Sequence, residues 1–227
     1  MTGRNGWEHA MDQSPRLVTD LLMPEREGGY AKGYETRELI LRTALHILIE
    51  DGYRAMSMRR IATACGMRLG NLTYHYPTRE DLVQELLNAV INSYEVEFGA
   101  IVHAPDLQPE ERLVRLCNLI IEDVGSKRTT RLFPELWALS NHDAFVHERV
   151  HELYDRARAP LVEIIAAMRP DLSEAARFDL ALFISASMEG LTVFAGYRQP
   201  YADRLPLVEG IAIRSFIEIV RSFSPGT

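Results

Sequence analysis

The 227-residue chain has little of several things, and each shortage removes a class of protein. Its two cysteines, Cys65 and Cys117, stand 52 positions apart with neither metal-ligand spacing nor a disulfide pattern, which excludes a stapled secreted mini-domain. Glycine and proline together supply 25 residues, too few for a collagen-like or low-complexity chain. No run approaches the ~20 consecutive apolar residues of a membrane span, and the opening MTGRNGWEHAMDQSPR lacks the apolar stretch of a signal peptide. A cytoplasmic protein without membrane contact is the expectation. Net positive charge is missing too: 25 basic against 32 acidic residues leave −7. Taken as an average, that argues against a nucleic-acid partner. What is present is 47% apolar composition, enough to bury a substantial core.

The average charge conceals a local exception. Between Gly52 and Arg79 lie five arginines (Arg54, Arg59, Arg60, Arg68 and Arg79) and no acidic residue, so this 28-residue window carries +5. The other 199 residues hold 20 basic and 32 acidic side chains, or −12. Phosphate binding requires positive charge only where the duplex touches, so a local patch suffices.

Hydrophobic period is helical nearly everywhere from Glu35 onward, and no segment shows sustained period-2 alternation. Residues 1–34, with Gly28, Gly29 and Gly33, read as a largely disordered arm in which Leu17–Met23 can form a turn or two of helix. The first helix places Leu39, Ile40, Ala44, Leu45, Leu48 and Ile49 on an apolar face and stops at Asp51-Gly52. Thr78 and Asp81 form a partial capping box for a helix over 78–98. Leu113, Leu116, Cys117, Ile120, Ile121 and Val124 give an i, i+3, i+4 stripe after Pro109. Further helices are predicted at 127–140, 143–168, 173–196 and 205–222, with Pro134 and Pro160 as points of kinking or splitting. The expected fold is all-α, about nine helices, divided into the arm, a DNA-binding unit at 35–82 and a helical domain at 83–227.

Inside the basic window, Ser57 precedes a short helix over 58–64, and Cys65-Gly66-Met67 makes a turn in which Gly66 can take positive φ. A second short helix, about Leu69 to His75, is stopped by Tyr76-Pro77. Two short helices crossing at such a turn form a helix-turn-helix, whose second helix enters the major groove. Around them stand Ala44, Gly52-Tyr53, Ser57, Ile61-Ala62, Ala64, Gly66-Met67, Gly70, Leu72, His75-Tyr76 and Thr78-Arg79-Glu80-Asp81-Leu82. Over about 50 residues this segment resembles the DNA-binding region of TetR-family transcriptional regulators. Two departures stand out. Arg68 replaces the family's usual small polar residue at the start of the recognition helix, and Thr73 replaces a tyrosine that generally contacts phosphate. Arg79 stands where the family usually has lysine.

The resemblance implies a homodimeric, ligand-responsive regulator, most often a repressor, that binds a palindromic operator and is released by a small-molecule effector; no cofactor is implied. It assigns capping and phosphate contact to Ser57, and phosphate clamping to Arg59, Arg79 and Arg60. Chemistry supports Asn71 pairing with adenine and Arg68 with guanine. Leu69 and Thr73 suit a thymine methyl, Gly70 permits close approach, and Tyr74 and His75 reach the groove edge. Dimerisation would use the last two helices through Ala181, Ser185, Met188, Val208, Ile211, Ala212, Ser215, Phe216 and Ile219. The candidate effector pocket comprises Tyr94, Phe98, Cys117, Arg131, Phe133, Trp137, Met188, Glu189 and Thr192.

One rival motif is present. His147-Glu148-Arg149-Val150-His151 matches the zinc-peptidase pattern H-E-x-x-H, with His142 nearby. On a helix, His147 and His151 sit one turn apart and could share a zinc with Glu148 as general base. The alternative it offers is a helical zinc-dependent hydrolase. The run HERVHELYDR equally describes a solvated helix face, so no metal site is assigned. No nucleophile elbow or phosphate-binding glycine loop accompanies it.

Overall fold

The computed structural model describes Leu21 and residues 31–224. Most of the expected arm lies outside the described residues, as does the Leu17–Met23 turn apart from Leu21, which is buried against the core. Residues 31–34 begin a helix instead of ending an arm.

Nine α-helices make up the described chain: α1 (Ala31–Asp51), α2 (Met58–Ala64), α3 (Leu69–His75), α4 (Arg79–Val102), α5 (Pro109–Val124), α6 (Lys127–Ser140), α7 (Ala144–Met168), α8 (Glu174–Ala195) and α9 (Leu205–Ser222). Local chemistry explains most starts. The side chains of Ser57, Thr78, Ser126, Asp143 and Ser173 each accept a backbone N–H of the helix that follows. Thr78 and Asp81 close a full capping box, and the Gln108 amide donates to Glu111 at 2.9 Å ahead of Pro109. Gly66, at φ +67°, turns α2 into α3 in a conformation that a β-carbon would strain.

Two expectations need correction, and one boundary is spanned by a single helix. Pro134 and Pro160 lie inside α6 and α7, which run on through them. On α1 the buried face is Ile40, Leu41, Ala44, Ile47 and Leu48, while Leu39 is exposed. Finally, α4 crosses the 82/83 position as one continuous helix, so the reading head and the larger helical body share a rigid element.

One apolar cluster runs through both parts. Helix α7 is central, packed against α4, α5, α6 and α8, while α9 covers α5 and α8. Helix α8 is the one described helix long and apolar enough to cross a membrane. Its apolar residues divide between two sides: Leu180, Ala181, Ile184 and Met188 face the core, whereas Phe178, Leu182, Phe183, Val193 and Phe194 are exposed.

Candidate nucleic-acid interface and ligand cavity

The helix-turn-helix buries Ile61, Ala62, Leu72 and Tyr76 and turns its polar residues outward. Ser57, Arg59, Arg60, Arg68, Leu69, Gly70, Asn71 and Tyr74 are exposed; Thr73, His75 and Arg79 are half-buried. Tyr74 is the most open of the large apolar side chains, at 83%, with its ring edge-on to His75. The exposed predicted contact residues thus lie on α2, α3 and the residues that open them, while Arg79 begins α4.

Intramolecular interactions qualify four of them. Arg60 pairs with Asp51 at 2.7 Å. Arg79 donates to the Tyr53 carbonyl at 2.8 Å and stacks its guanidinium 4.0 Å from the centre of the Tyr53 ring, so it ties α4 to the turn before α2 and does not stand free. Burial, helped by the Arg37 charge, lowers the His75 pKa. Thr73 directs its hydroxyl back to the Leu69 and Gly70 carbonyls, leaving its methyl as the outward chemistry.

Behind the reading surface lies a polar lock that the sequence did not reveal. Arg37 of α1 pairs with Glu85 of α4 through two contacts, and the Tyr76 hydroxyl donates to the same carboxylate at 3.0 Å. Arg37 also lies over the Tyr76 ring, 5.0 Å from its centre. Burial, then the Glu85 charge, raises the Tyr76 pKa well above its ordinary value. Tyr76 ends α3, so this triad fixes the recognition helix against α1 and α4.

Inside the helical body, α4, α5, α6, α7 and α8 enclose a cavity of about 50 Å³; one water needs ~10–15 Å³ by the same measure. Tyr94, Phe98, Phe133, Met188 and Glu189 of the predicted set line it, joined by Asp123, Thr129, Leu153, Tyr154 and Ser185 among others. The Tyr94 hydroxyl donates to Asp123 at 2.6 Å, and Thr129 donates to the same carboxylate. Trp137 donates its indole N–H to the Tyr154 hydroxyl at 2.8 Å, and the Tyr154 side chain lies beside Glu189 on the cavity wall. Burial is the main cause that raises Glu189 to about 7; the neighbouring Tyr154 hydroxyl opposes it and the Asp123 charge adds to it.

Four pocket candidates lie elsewhere. Arg131 is on the surface, donating to the Ile49 carbonyl at 3.2 Å beside Glu50. Cys117 is fully buried in the α5 core, where burial pushes its thiol up to about 12. Trp137 braces Tyr154 from behind the wall. Thr192 is buried but is not among the lining residues. Sequence periodicity missed Asp123, although a carboxylate three positions after Ile120 on an otherwise apolar stripe was a readable signal of a buried charge.

The dimer candidates divide in a similar way. Ala181, Met188 and Phe216 are buried within the chain's own core, and Ser185 lines the cavity. Val208, Ala212 and Ile219 are half-buried, whereas Ile211 and Ser215 are exposed. The outward apolar face is instead Phe178, Leu182, Phe183, Val193 and Phe194 on α8, with Leu207 and Ile211 on α9.

The H-E-x-x-H histidines sit on α7 with ring centres 4.3 Å apart, and both are exposed with Glu148. Among the described residues no group of three or more His, Cys, Asp or Glu side chains gathers as a metal site.

Comparison with known proteins agrees with this architecture. Residues 40–86 match the family model for bacterial regulatory proteins of the tetR family. Residues 109–217 match the C-terminal domain of BetI-type transcriptional repressors. The chain is 29% identical over 182 residues to an uncharacterized HTH-type transcriptional regulator in the dhlA 5′ region of Xanthobacter autotrophicus, covering 75% of this chain and 84% of the relative. A Saccharomonospora viridis protein described as a transcriptional regulator, solved in complex with choline, shares the fold at TM-score 0.66 and 24% identity, with 82% of this chain and 96% of that one aligned. A TetR transcription regulator from Haloarcula marismortui aligns at TM-score 0.62 and 16% identity over 84% of this chain and 98% of that one. With the two family models together spanning about two-thirds of its length, the chain belongs to the TetR family of transcriptional regulators.

Proposed function

We propose that the protein is a homodimeric repressor whose two reading heads (residues 35–82) grip a palindromic operator and whose helical body (83–227) binds a small effector that releases it. The observation that carries this reading is the position of α6, which belongs to both halves. On one side Thr129 and Phe133 line the cavity. On another, Glu135 accepts the Tyr53 amide at 3.1 Å, Arg131 reaches the Ile49 carbonyl, and Lys127 pairs with Glu50. An effector that repositions α6 therefore moves the turn that carries α2 and α3. A ligand favouring the splayed dimer draws the population away from the DNA-competent spacing. The choline found in the Saccharomonospora structure supports a compact organic molecule as effector. Acting on chromosomal DNA also places the protein in the cytoplasm.

Arg59 and Ser57 serve as phosphate contacts, and Arg68, Leu69, Asn71 and Thr73 read base edges with Tyr74 at the groove margin. Asn71→Ala is expected to weaken operator binding by ~1–3 kcal/mol and to relax preference at one base pair per half-site; titration against single-base operator variants measures it. If Asn71→Ala weakens every sequence equally, the side chain holds backbone and not base.

The link through α6 has its own test. Glu135→Ala removes the acceptor of the Tyr53 amide, a hydrogen bond worth ~1 kcal/mol, so native-state hydrogen exchange at that amide is expected to quicken about fivefold. Unchanged exchange would mean that Glu135 does not hold the turn.

The reading as a whole is tested by enriching genomic fragments on the purified full-length protein. The expected footprint is a palindrome with half-sites about one turn (~34 Å) apart. Recovery of no fragment, or of single half-sites bound by one chain, overturns it.

A further inference from the structure

The cavity's polar groups are unequal. Two carboxylates, Asp123 and Glu189, line it, and among its described lining residues there is no cation. Asp123 already accepts two hydrogen bonds, from Tyr94 and Thr129. Glu189 lies beside Tyr154, whose hydroxyl accepts from Trp137, and its Oε2 atom is sealed from solvent without a hydrogen-bond partner. A buried acceptor left unmet costs ~1–3 kcal/mol, more if charged. The rings of Tyr94, Phe98, Phe133 and Tyr154 line the same cavity, and the faces of aromatic rings attract cations.

We propose that this cavity binds a compact ligand carrying a protonated amine, whose N–H donates to Glu189 Oε2 while its carbon body packs on the aromatic walls. This inference rests on the reading of the cavity as the effector site. The N–H is the discriminating feature. A quaternary ammonium supplies charge but no donor, so it leaves Oε2 unmet; an alcohol supplies a donor but no charge. A protonated amine supplies both.

Proton balance follows. The groups lining the cavity with Glu189 are Tyr154 from α7, Asp123 from α5 and Tyr94 from α4, with the Arg128 guanidinium from α6 over the Tyr94 ring, 5.3 Å from its centre. In the empty cavity burial raises Glu189 to about 7, so near pH 6 the carboxyl carries its own proton. An incoming ammonium binds the carboxylate, and that proton leaves to solvent. Affinity should therefore rise with pH up to about 7 and level off above it, since the amine itself stays charged to about pH 10.

Isothermal titration of the full-length protein, without DNA, with n-butylamine, n-butyltrimethylammonium and n-butanol tests this. Butylamine is expected to bind, with dissociation constants on the order of millimolar for so small a probe. Butyltrimethylammonium should bind at least about tenfold more weakly, and butanol should not bind measurably. At about pH 6 the butylamine heat should vary with the buffer's ionisation enthalpy by up to one proton, and near pH 8.5 it should not. Glu189→Gln, nearly isosteric and checked by thermal melting, should lose about tenfold for butylamine and abolish the buffer dependence. Equal binding of the trimethyl compound overturns the N–H requirement, equal binding of butanol overturns the cation, and no binding of butylamine overturns the proposal outright. A different molecule, such as an anion, that releases the operator would leave the effector reading standing while sinking the amine. An amine that binds as described without altering operator affinity would do the reverse.

Discussion

Phe183→Glu is expected to leave the fold intact, convert the protein to a monomer and reduce operator affinity by at least about 100-fold. The side chain is 50% exposed, one of several exposed apolar residues on the packed helices α8 and α9 that include Leu182, Phe194, Leu207 and Ile211. A face of this kind on a single chain marks an interaction site. Burying a phenylalanine contributes ~1.5–3 kcal/mol, and an isologous interface loses that contribution twice. Placing two carboxylates in the contact adds their desolvation. The summed loss exceeds ~4 kcal/mol, or about a thousandfold in dimer dissociation constant. Sedimentation velocity reads the mass, and gel shift against the operator reads the function. Because the substitution touches solvent in the protomer, its melting temperature serves as the control. A dimeric Phe183→Glu with operator affinity within about threefold of the parent would place the interface elsewhere.

Glu85→Ala attacks the reading head from within. Arg37 and Glu85 have side chains only 16% and 11% exposed, and the Tyr76 hydroxyl depends on the same carboxylate. Removing one partner of a buried ion pair leaves an uncompensated charge, at a cost of ~3–5 kcal/mol. Arg37 retains some solvent access, so the low end, ~3 kcal/mol, is expected. For a chain of this size that lowers Tm by roughly 6–12 °C, measured by circular dichroism. Glu85→Gln, which keeps an acceptor for Tyr76 and Arg37 but not the charge, should recover part of the loss. Operator affinity should fall further than stability alone explains, because Tyr76 terminates α3 and the lock sets how that helix is presented. If Glu85→Ala melts within about 1 °C of the parent, the triad does not hold the head together.

The two predictions draw on features of different legibility. The helix-turn-helix could be read almost residue by residue because its determinants are local: Ser57 as cap, Gly66 at the turn, Tyr76-Pro77 as stop, and five arginines without a carboxylate in one window. The Arg37–Glu85–Tyr76 lock could not, since its outer members are 48 positions apart and nothing in either segment marks the other. The cavity lay between these cases. Tyr94, Phe98, Phe133, Met188 and Glu189 were recovered by their inward register, while Arg131 turned to the surface and Trp137 moved one layer back. Period alone says that a residue faces inward or outward on its own helix. It does not say which neighbour stands opposite.

A net charge of −7 looked unsuited to DNA until its distribution along the chain was resolved. That distribution, most helix starts and the family resemblance were determined by the sequence itself, because caps, prolines, glycine turns and apolar period act within a few residues, whereas the start of α1 and the end of α4 were not. Which face of α8 and α9 is left uncovered was decided only by tertiary structure, and it is Phe178, Leu182, Phe183 and Phe194 that are left out while Ala181 and Met188 are taken into the core. The same holds for the unmet oxygen of Glu189 among four aromatic rings. Both depend on how five helices from distant parts of the chain rotate to fill one interior, and a helix apolar on two sides offers no local rule for choosing between them.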